Sequence, residues 1–187
     1  LERADMDTTD HGPKPHVVDI DELTVDNTNY RTTHWTGSHL QLTLMSIPPG
    51  GDIGLEVHPD NDQFLRLEQG EGRCQMGASR DAMTFDEEVG DGWAILVPAG
   101  TWHNVTNIGD EDLRLYAIYG PAHHPHGTVH VTRTDAEEDP AEHWPSSIPT
   151  IDMLAWIADP RDQASGGDMS RAPTPGTGPD PLTFYWR

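Results

Sequence analysis

Glu56, His58, Gln63 and His103 are four side chains of chemically useful type, spaced so that a β fold can bring them together. Glu56 and His58 are two residues apart, so on an extended segment both project from one face. Pro59, Asp60 and Asn61 follow as a turn signal,. Gln63 opens the return strand and can face the same interior, and Gly70 closes that strand in a further turn. The stretch VPAGTWH, residues 97–103, reads as a tight turn that delivers His103 from another hairpin. Inside an apolar barrel, a carboxylate, two imidazoles and an amide need partners, and a bound cation is one way to supply them.

The elements that must position these residues are short strands. Residues 17 to 133 run as apolar and alternating stretches broken by Gly, Pro, Asn and Asp. HLQLTLMSI (39–47) alternates with period two over 39–45 and ends at PPGG, while FLRLEQGEGRCQM (64–76) holds a Gly-flanked turn. WAILVPAG, WHNVTNI and DLRLYAIYG follow, with AILV reading as a buried strand,. Many short strands at this spacing predict a sandwich or barrel. Nothing in this region persists long enough for a long helix. Residues 1–16 are polar, contain Pro13 and Pro15, and read as a flexible arm,. Residues 134–144 and 150–158 read as short helices,. From Pro160 the chain is rich in Gly, Pro, Ser and Thr and ends in LTFYWR, an apolar tip that either docks or stays disordered. The expected organisation is an arm over 1–24, a barrel over 25–133, and short helices with an irregular tail over 134–187.

The second polar stretch has a fixed pattern: Gly92, five residues, Pro98, one residue, Gly100, two residues, His103, three residues, Asn107. This resembles the second motif of the cupin superfamily at every fixed position. Gly50, Glu56, His58, Gln63 and Gly70 fall at the spacings of the first cupin motif, with Glu56 where that motif has a histidine and Gln63 where it has the glutamate. The resemblance spans roughly residues 30 to 120. It implies an all-β double-stranded β-helix, the cupin or jelly-roll barrel.

The resemblance also implies a ligand set of Glu56, His58, Gln63 and His103 around one divalent metal ion. Two histidines and a carboxylate suit octahedral Fe(II) or Mn(II) with open positions, and Zn or Ni is not distinguished from these. Gln63 is then a weak neutral ligand or a hydrogen-bonding group for substrate or metal-bound water. Phosphomannose-isomerase-like cupins combine the same residue types with Gln and Glu exchanged. The formal charge is unchanged, so loss of metal does not follow from the substitutions. The competing reading is a metal-free pocket with His58 and His103 in a hydrogen-bond network. Asp62 competes with Gln63 for the glutamate place. The six-residue spacing to Gly70 favours Gln63 inside and Asp62 outside.

A second cluster holds His123, His124, His126 and His130 in a Pro-broken loop. Its plainer reading is structural or solvated. A histidine that reaches the pocket is expected to be His126 or His130, where the chain becomes regular. His34 and His39 precede the first motif and either line an early strand or, on the plainer reading, lie at the surface. Leu42, Leu44, Leu65, Leu67, Ile95 and Tyr116 are the expected inward apolar residues, with Leu65 and Tyr116 nearest a substrate. Trp102 should point away from the site into outer packing.

Composition removes several functions. Thirty-two acidic residues face eleven Lys plus Arg, a formal net charge of −21. Phosphate neutralisation on nucleic acid and docking to an anionic membrane are therefore not expected. The acidic, lysine-poor surface fits high salt or a high-GC genome equally well. The single cysteine, Cys74, excludes an internal disulfide and a Cys-based zinc site, and reads as a small packing residue,. No apolar run approaches a membrane span and no signal-peptide pattern opens the chain, so a cytoplasmic protein is expected. Walker, Rossmann and Gly-x-Ser-x-Gly patterns are absent from the sequence,.

The barrel interior is left as the place for function. The first expectation is a metal-dependent enzyme on a small organic substrate, a dioxygenase or an isomerase or lyase, with Glu56 and His103 catalytic. The alternative is a non-catalytic metal- or small-molecule-binding cupin. Such cupins commonly pair through edge strands, so a homodimer is expected.

Overall fold

The computed structural model describes residues 7–142. The helix expected over 150–158 and the aromatic tip at 182–187 lie outside the described residues. Strands come in chain order as β1 (Arg31–Thr36), β2 (Gln41–Ile47), β3 (Asp62–Gln69), β4 (Glu71–Gly77), β5 (Phe85–Gly90), β6 (Ala94–Val97), β7 (Trp102–Asn107), β8 (Leu113–Gly120) and β9 (Val129–His130). They form two antiparallel sheets, β6-β3-β8-β2-β1-β9 and β5-β4-β7. This is the all-β, double-stranded β-helix architecture that the sequence predicts. No helix among the described residues is long and apolar enough to cross a membrane.

Alternation explains which side of each strand is inside. On β3, Gln63, Leu65 and Leu67 are buried and face inward, while Asp62 is exposed. On β8, Leu113, Leu115, Ala117 and Tyr119 face the same core. The second sheet contributes Cys74, Val89 and Val105. Cys74 is fully enclosed, as its packing role requires.

The inward set differs from expectation on β2 and β8. Met45 and Ile47 join the core cluster with Leu65 and Leu115, so the β2 residues of opposite parity, Leu42 and Leu44, face away from it. Tyr116 likewise lies on the outer face of β8, its ring 6.1 Å from that of Phe64. The cause is a one-residue offset in register, which moves a whole strand's side chains to the other face. β6 is also not buried on both sides: Ile95 and Val97 are inside, but Leu96 is 70% exposed.

Residues 51–58 extend the three-stranded sheet alongside β7. Ile53 N donates to Val105 O, and Asn107 N to Gly51 O. Glu56 and His103 exchange both backbone hydrogen bonds, at 3.0 and 2.9 Å. Directly opposed antiparallel residues present their side chains on the same face.

The arm is more ordered than its composition predicts. Asp10 accepts from Thr36 N, Gly12 N, Gly127 N and the Thr36 hydroxyl. Trp35 Nε1 donates to Lys14 O at 2.7 Å. Residues 7–16 are thereby tied to β1, because one buried carboxylate satisfies several backbone donors at once. A short helix not foreseen from sequence follows, α1 (Ile20–Asp26), capped by Asp19,. The expected acidic helix appears as α2 (Arg133–Glu138), opened by a Thr132–Asp135 capping box,.

Candidate metal centre

Two turns place the histidines. Gly100 has φ +77°, a left-handed conformation that L side chains adopt only under strain, and its N–H donates to His58 O at 2.8 Å,. That bond ties the turn before β7 to the end of the 51–58 segment. Asn107 is buried and closes the other end of β7. Its side chain donates to Ile47 O and Glu111 O and accepts from Gly109 N. The Gly100 and Asn107 positions of the second motif thus hold the strand that carries His103, and neither touches the site.

The site is built around one carboxylate oxygen. His58 Nε2 lies 3.1 Å from Glu56 Oε1. His103 Nε2 lies 3.3 Å from the same oxygen, within ion-pair distance but without hydrogen-bond alignment. Both imidazoles are buried, and Glu56 is partly accessible. His103 Nδ1 is 3.0 Å from Thr101 O. A carbonyl oxygen only accepts, so Nδ1 carries the hydrogen and Nε2 of the neutral ring presents a lone pair. A lone pair beside a carboxylate oxygen is repulsive unless a proton or a cation stands between them.

A divalent cation fits this arrangement. Bonds of about 2.1 Å at right-angled to tetrahedral geometry set neighbouring ligand atoms about 2.9–3.4 Å apart. The spacings of 3.1 and 3.3 Å fall in that range. The backbone bond from His103 Nδ1 is the orienting contact that metal-bound histidines use. Burial pushes the Glu56 carboxyl up. The close approach of the His103 and His58 rings, then the charges of His58 and Arg31, outweigh it and hold Glu56 well below the usual carboxylate range,. Glu56 is therefore an anion at neutral pH.

Gln63 is buried at the start of β3, and its Oε1 has no hydrogen-bond partner among the described residues. Asp62 points outward and accepts from Ala99 N at 2.9 Å. Leu65 is part of the core cluster below Gln63 on the same face. Tyr116 is not brought to the centre. Tyr119 takes that place, paired with Gln63 across β3 and β8, its ring 5.6 Å from His58 and nearly perpendicular to it.

His126 and His130 are also not brought there. His126 is half exposed and sits 3.1 Å from Gly12 O on the arm. His130 is buried, but its Nε2 pairs with Asp139 at 2.9 Å. His123 reaches the site instead, its ring centroid 4.1 Å from that of His58. Burial, with the neighbouring His58 and His124, brings its pKa down to about 4, so it is neutral at physiological pH. It follows β8 directly, after Gly120 and Pro121, and closeness to the strand end was the signal available in the sequence.

Arg31 is a further residue that sequence reasoning missed. It is buried at the start of β1, NH1 stands 3.6 Å from Glu142 Oε2, and Nε has no hydrogen-bond partner among the described residues. It is near enough to Glu56 and Tyr119 for their charges to act on it. Glu142 also accepts from His124 Nδ1 at 2.7 Å. The buried chain His58, Tyr119, His124, Glu142, Arg31 thus connects the centre to β1 through contacts of at most 5.6 Å.

Comparison with known proteins identifies the family of the fold. Residues 43–119 match the Cupin domain family. The Bacillus subtilis protein YrkC is 58% identical over 127 residues, covering 68% of each chain. The crystal structure of BH2720 from Bacillus halodurans is also 58% identical, covers 70% of this chain and 99% of its own, and superposes with a TM-score of 0.70. The chain therefore belongs to the cupin superfamily. Oxalate decarboxylase OxdC of Bacillus subtilis is 31% identical over 100 residues, which span 53% of this chain but only 24% of that enzyme.

Proposed function

We propose that this cupin is a metal-dependent enzyme acting on a small organic acid inside the barrel, with Glu56, His58 and His103 as the metal ligands. The observation that carries the reading is the convergence of two Nε2 atoms on one Glu56 oxygen while His103 Nδ1 is engaged by Thr101 O. Gln63 supplies a neutral oxygen at the same face, as a fourth ligand or a substrate contact.

Bound there, a divalent ion would supply Lewis acidity and hold substrate oxygens. The chain's own groups do the rest. Arg31 is a buried guanidinium whose Nε has no partner among the described residues, which suits a carboxylate, and its charge attracts an acid toward Glu56,. Tyr119 and His123 wall the His58 side and limit water. His123, neutral with two ring nitrogens, can take a proton from a bound acid or return one,. The likeness to oxalate decarboxylase, though it spans a quarter of that enzyme, supports a lyase reaction on a carboxylic acid ahead of a dioxygenase.

Metal analysis of purified protein tests the ligand set. His103→Ala should lose at least about nine tenths of the metal bound at this centre, because a three-ligand centre left with two loses affinity by orders of magnitude. Unchanged metal at the centre in that variant overturns the assignment. A metal-loaded protein that consumes neither a panel of small mono- and dicarboxylates nor O₂ in their presence favours the second reading, a non-catalytic metal- or small-molecule-binding cupin.

A further inference from the structure

A second group of histidines lies on the arm and β1, apart from the centre in the barrel. We propose that His11, His16 and His34 form a separate metal site that takes one divalent cation of the imidazole-binding type, such as Zn²⁺, and fastens the arm to β1.

The three rings come together from distant parts of the sequence. His16 Nε2 and His34 Nε2 are 3.0 Å apart. The His11 ring stacks on that of His16 with centroids 4.4 Å apart and planes within 5°. It is 5.0 Å from the His34 ring. One ligand nitrogen from each residue lies within 4.8 Å of the others. Two nitrogens bound to one ion at about 2.1 Å sit about 2.9–3.4 Å apart, and the His16–His34 pair already has that spacing.

The position of these rings is set by contacts outside the group. His11 N donates to His34 O at 2.9 Å. Asp10, next in the chain, is locked by four hydrogen bonds, and Trp35, next to His34, holds Lys14 O. His126 Nε2 pairs with Gly12 O from the other side. The backbone between residues 10 and 14 is therefore held at both ends, so a cation would meet histidines already gathered, with the stacked His11 and His16 rings left to turn their nitrogens toward it,.

The chemistry of the group also favours a cation. His34 is buried, and its Nδ1 has no hydrogen-bond partner among the described residues. His11 Nε2 is 3.0 Å from Asp7 Oδ2, a carboxylate behind the ring of the kind that orients metal-bound histidines,. With no thiolate and three imidazoles, the set selects Zn²⁺, Cu²⁺ or Ni²⁺ over Mg²⁺ or Ca²⁺. His16 also lines an open cleft of about 540 Å³ with Pro15, Val17, Val18, Trp35 and Leu42, which gives an ion a path from solvent.

The test is Zn²⁺ titration of the full chain against a chromophoric chelator, in a His103→Ala background that removes the barrel centre. One equivalent should still bind at micromolar Zn²⁺ or tighter. Adding His11→Ala and His16→Ala, both at accessible positions, should weaken that binding at least about tenfold, and restoring both histidines should recover it. His34 is left intact, so the buried packing of β1 is kept. Uptake that begins only at millimolar Zn²⁺, or that is unaffected by the two substitutions, overturns the site. Failure here leaves the barrel ligands untouched, since those are read from His103→Ala alone.

Discussion

Glu56 carries the negative charge of the barrel centre, and Gln63 keeps the fourth polar position neutral. The Gln63 oxygen has no partner among the described residues, so its replacement by a charged oxygen changes the centre without breaking a contact seen there. Gln63→Glu should tighten divalent-cation binding by about tenfold, because affinity at an oxygen-containing site follows the number of charged ligands. A metal titration of that variant beside the parent checks this, and equal affinities would remove Gln63 from the coordination sphere. At this scale the sequence showed a good deal. The types and spacings of Glu56, His58, Gln63 and His103 were readable, as was Asp62 facing out, because period-two alternation and a turn decide them. Tyr119, His123 and Arg31 were not readable. Each depends on strand register or on where a loop returns, and neither is encoded within a short window.

The element that matters most is the 51–58 segment laid along β7. It contributes Glu56 and His58, and it is registered against His103 by backbone bonds rather than by side chains. Gly100 locks this register through its bond to His58 O. Gly100→Ala leaves free space for the methyl group, so its cost is conformational. A left-handed φ costs an L residue about 1–2 kcal/mol. The variant should lose about that much stability in denaturant unfolding, and metal affinity should fall with it as the two histidines separate. Loss of stability with unchanged metal affinity would show that the register does not depend on this turn. Gly100 and Asn107 were legible as fixed positions of the second motif. The arm was misread because its polar composition predicts disorder, and composition carries no record of Asp10 meeting four donors from residues 12, 36 and 127.

On the scale of the whole molecule, a net charge of −21 leaves few cations to spare, and one of them is buried. Arg31 is held with Glu142, which also accepts from His124. Burial raises the Glu142 carboxyl, but the His124 hydrogen bond and the charges of His124 and Arg31 outweigh it and leave it below its ordinary value of 4.5. A depressed carboxylate stabilises the fold fully above its unfolded pKa and loses that contribution as pH falls through the folded one. Stability from this pair is therefore intact at neutral pH and declines below about pH 4.5. Glu142→Gln should cost about 3 kcal/mol at pH 7, the scale of a broken buried ion pair. The deficit should shrink on acidification as the parent loses the same charge. Parallel stability curves from pH 7 to pH 3 would exclude Glu142 as the group responsible.

Cys74 lies sealed in the core, the single sulfur of its kind in the chain. Burial first, then the charge of Asp86, raises its thiol to about 11, so almost none is present as the nucleophilic thiolate at neutral pH,. With no second cysteine to pair with, the fold contains no joint that an oxidant can close or a reductant can open. The sulfur of Cys74 thus serves packing between the strands and is withheld from thiol–disulfide exchange,.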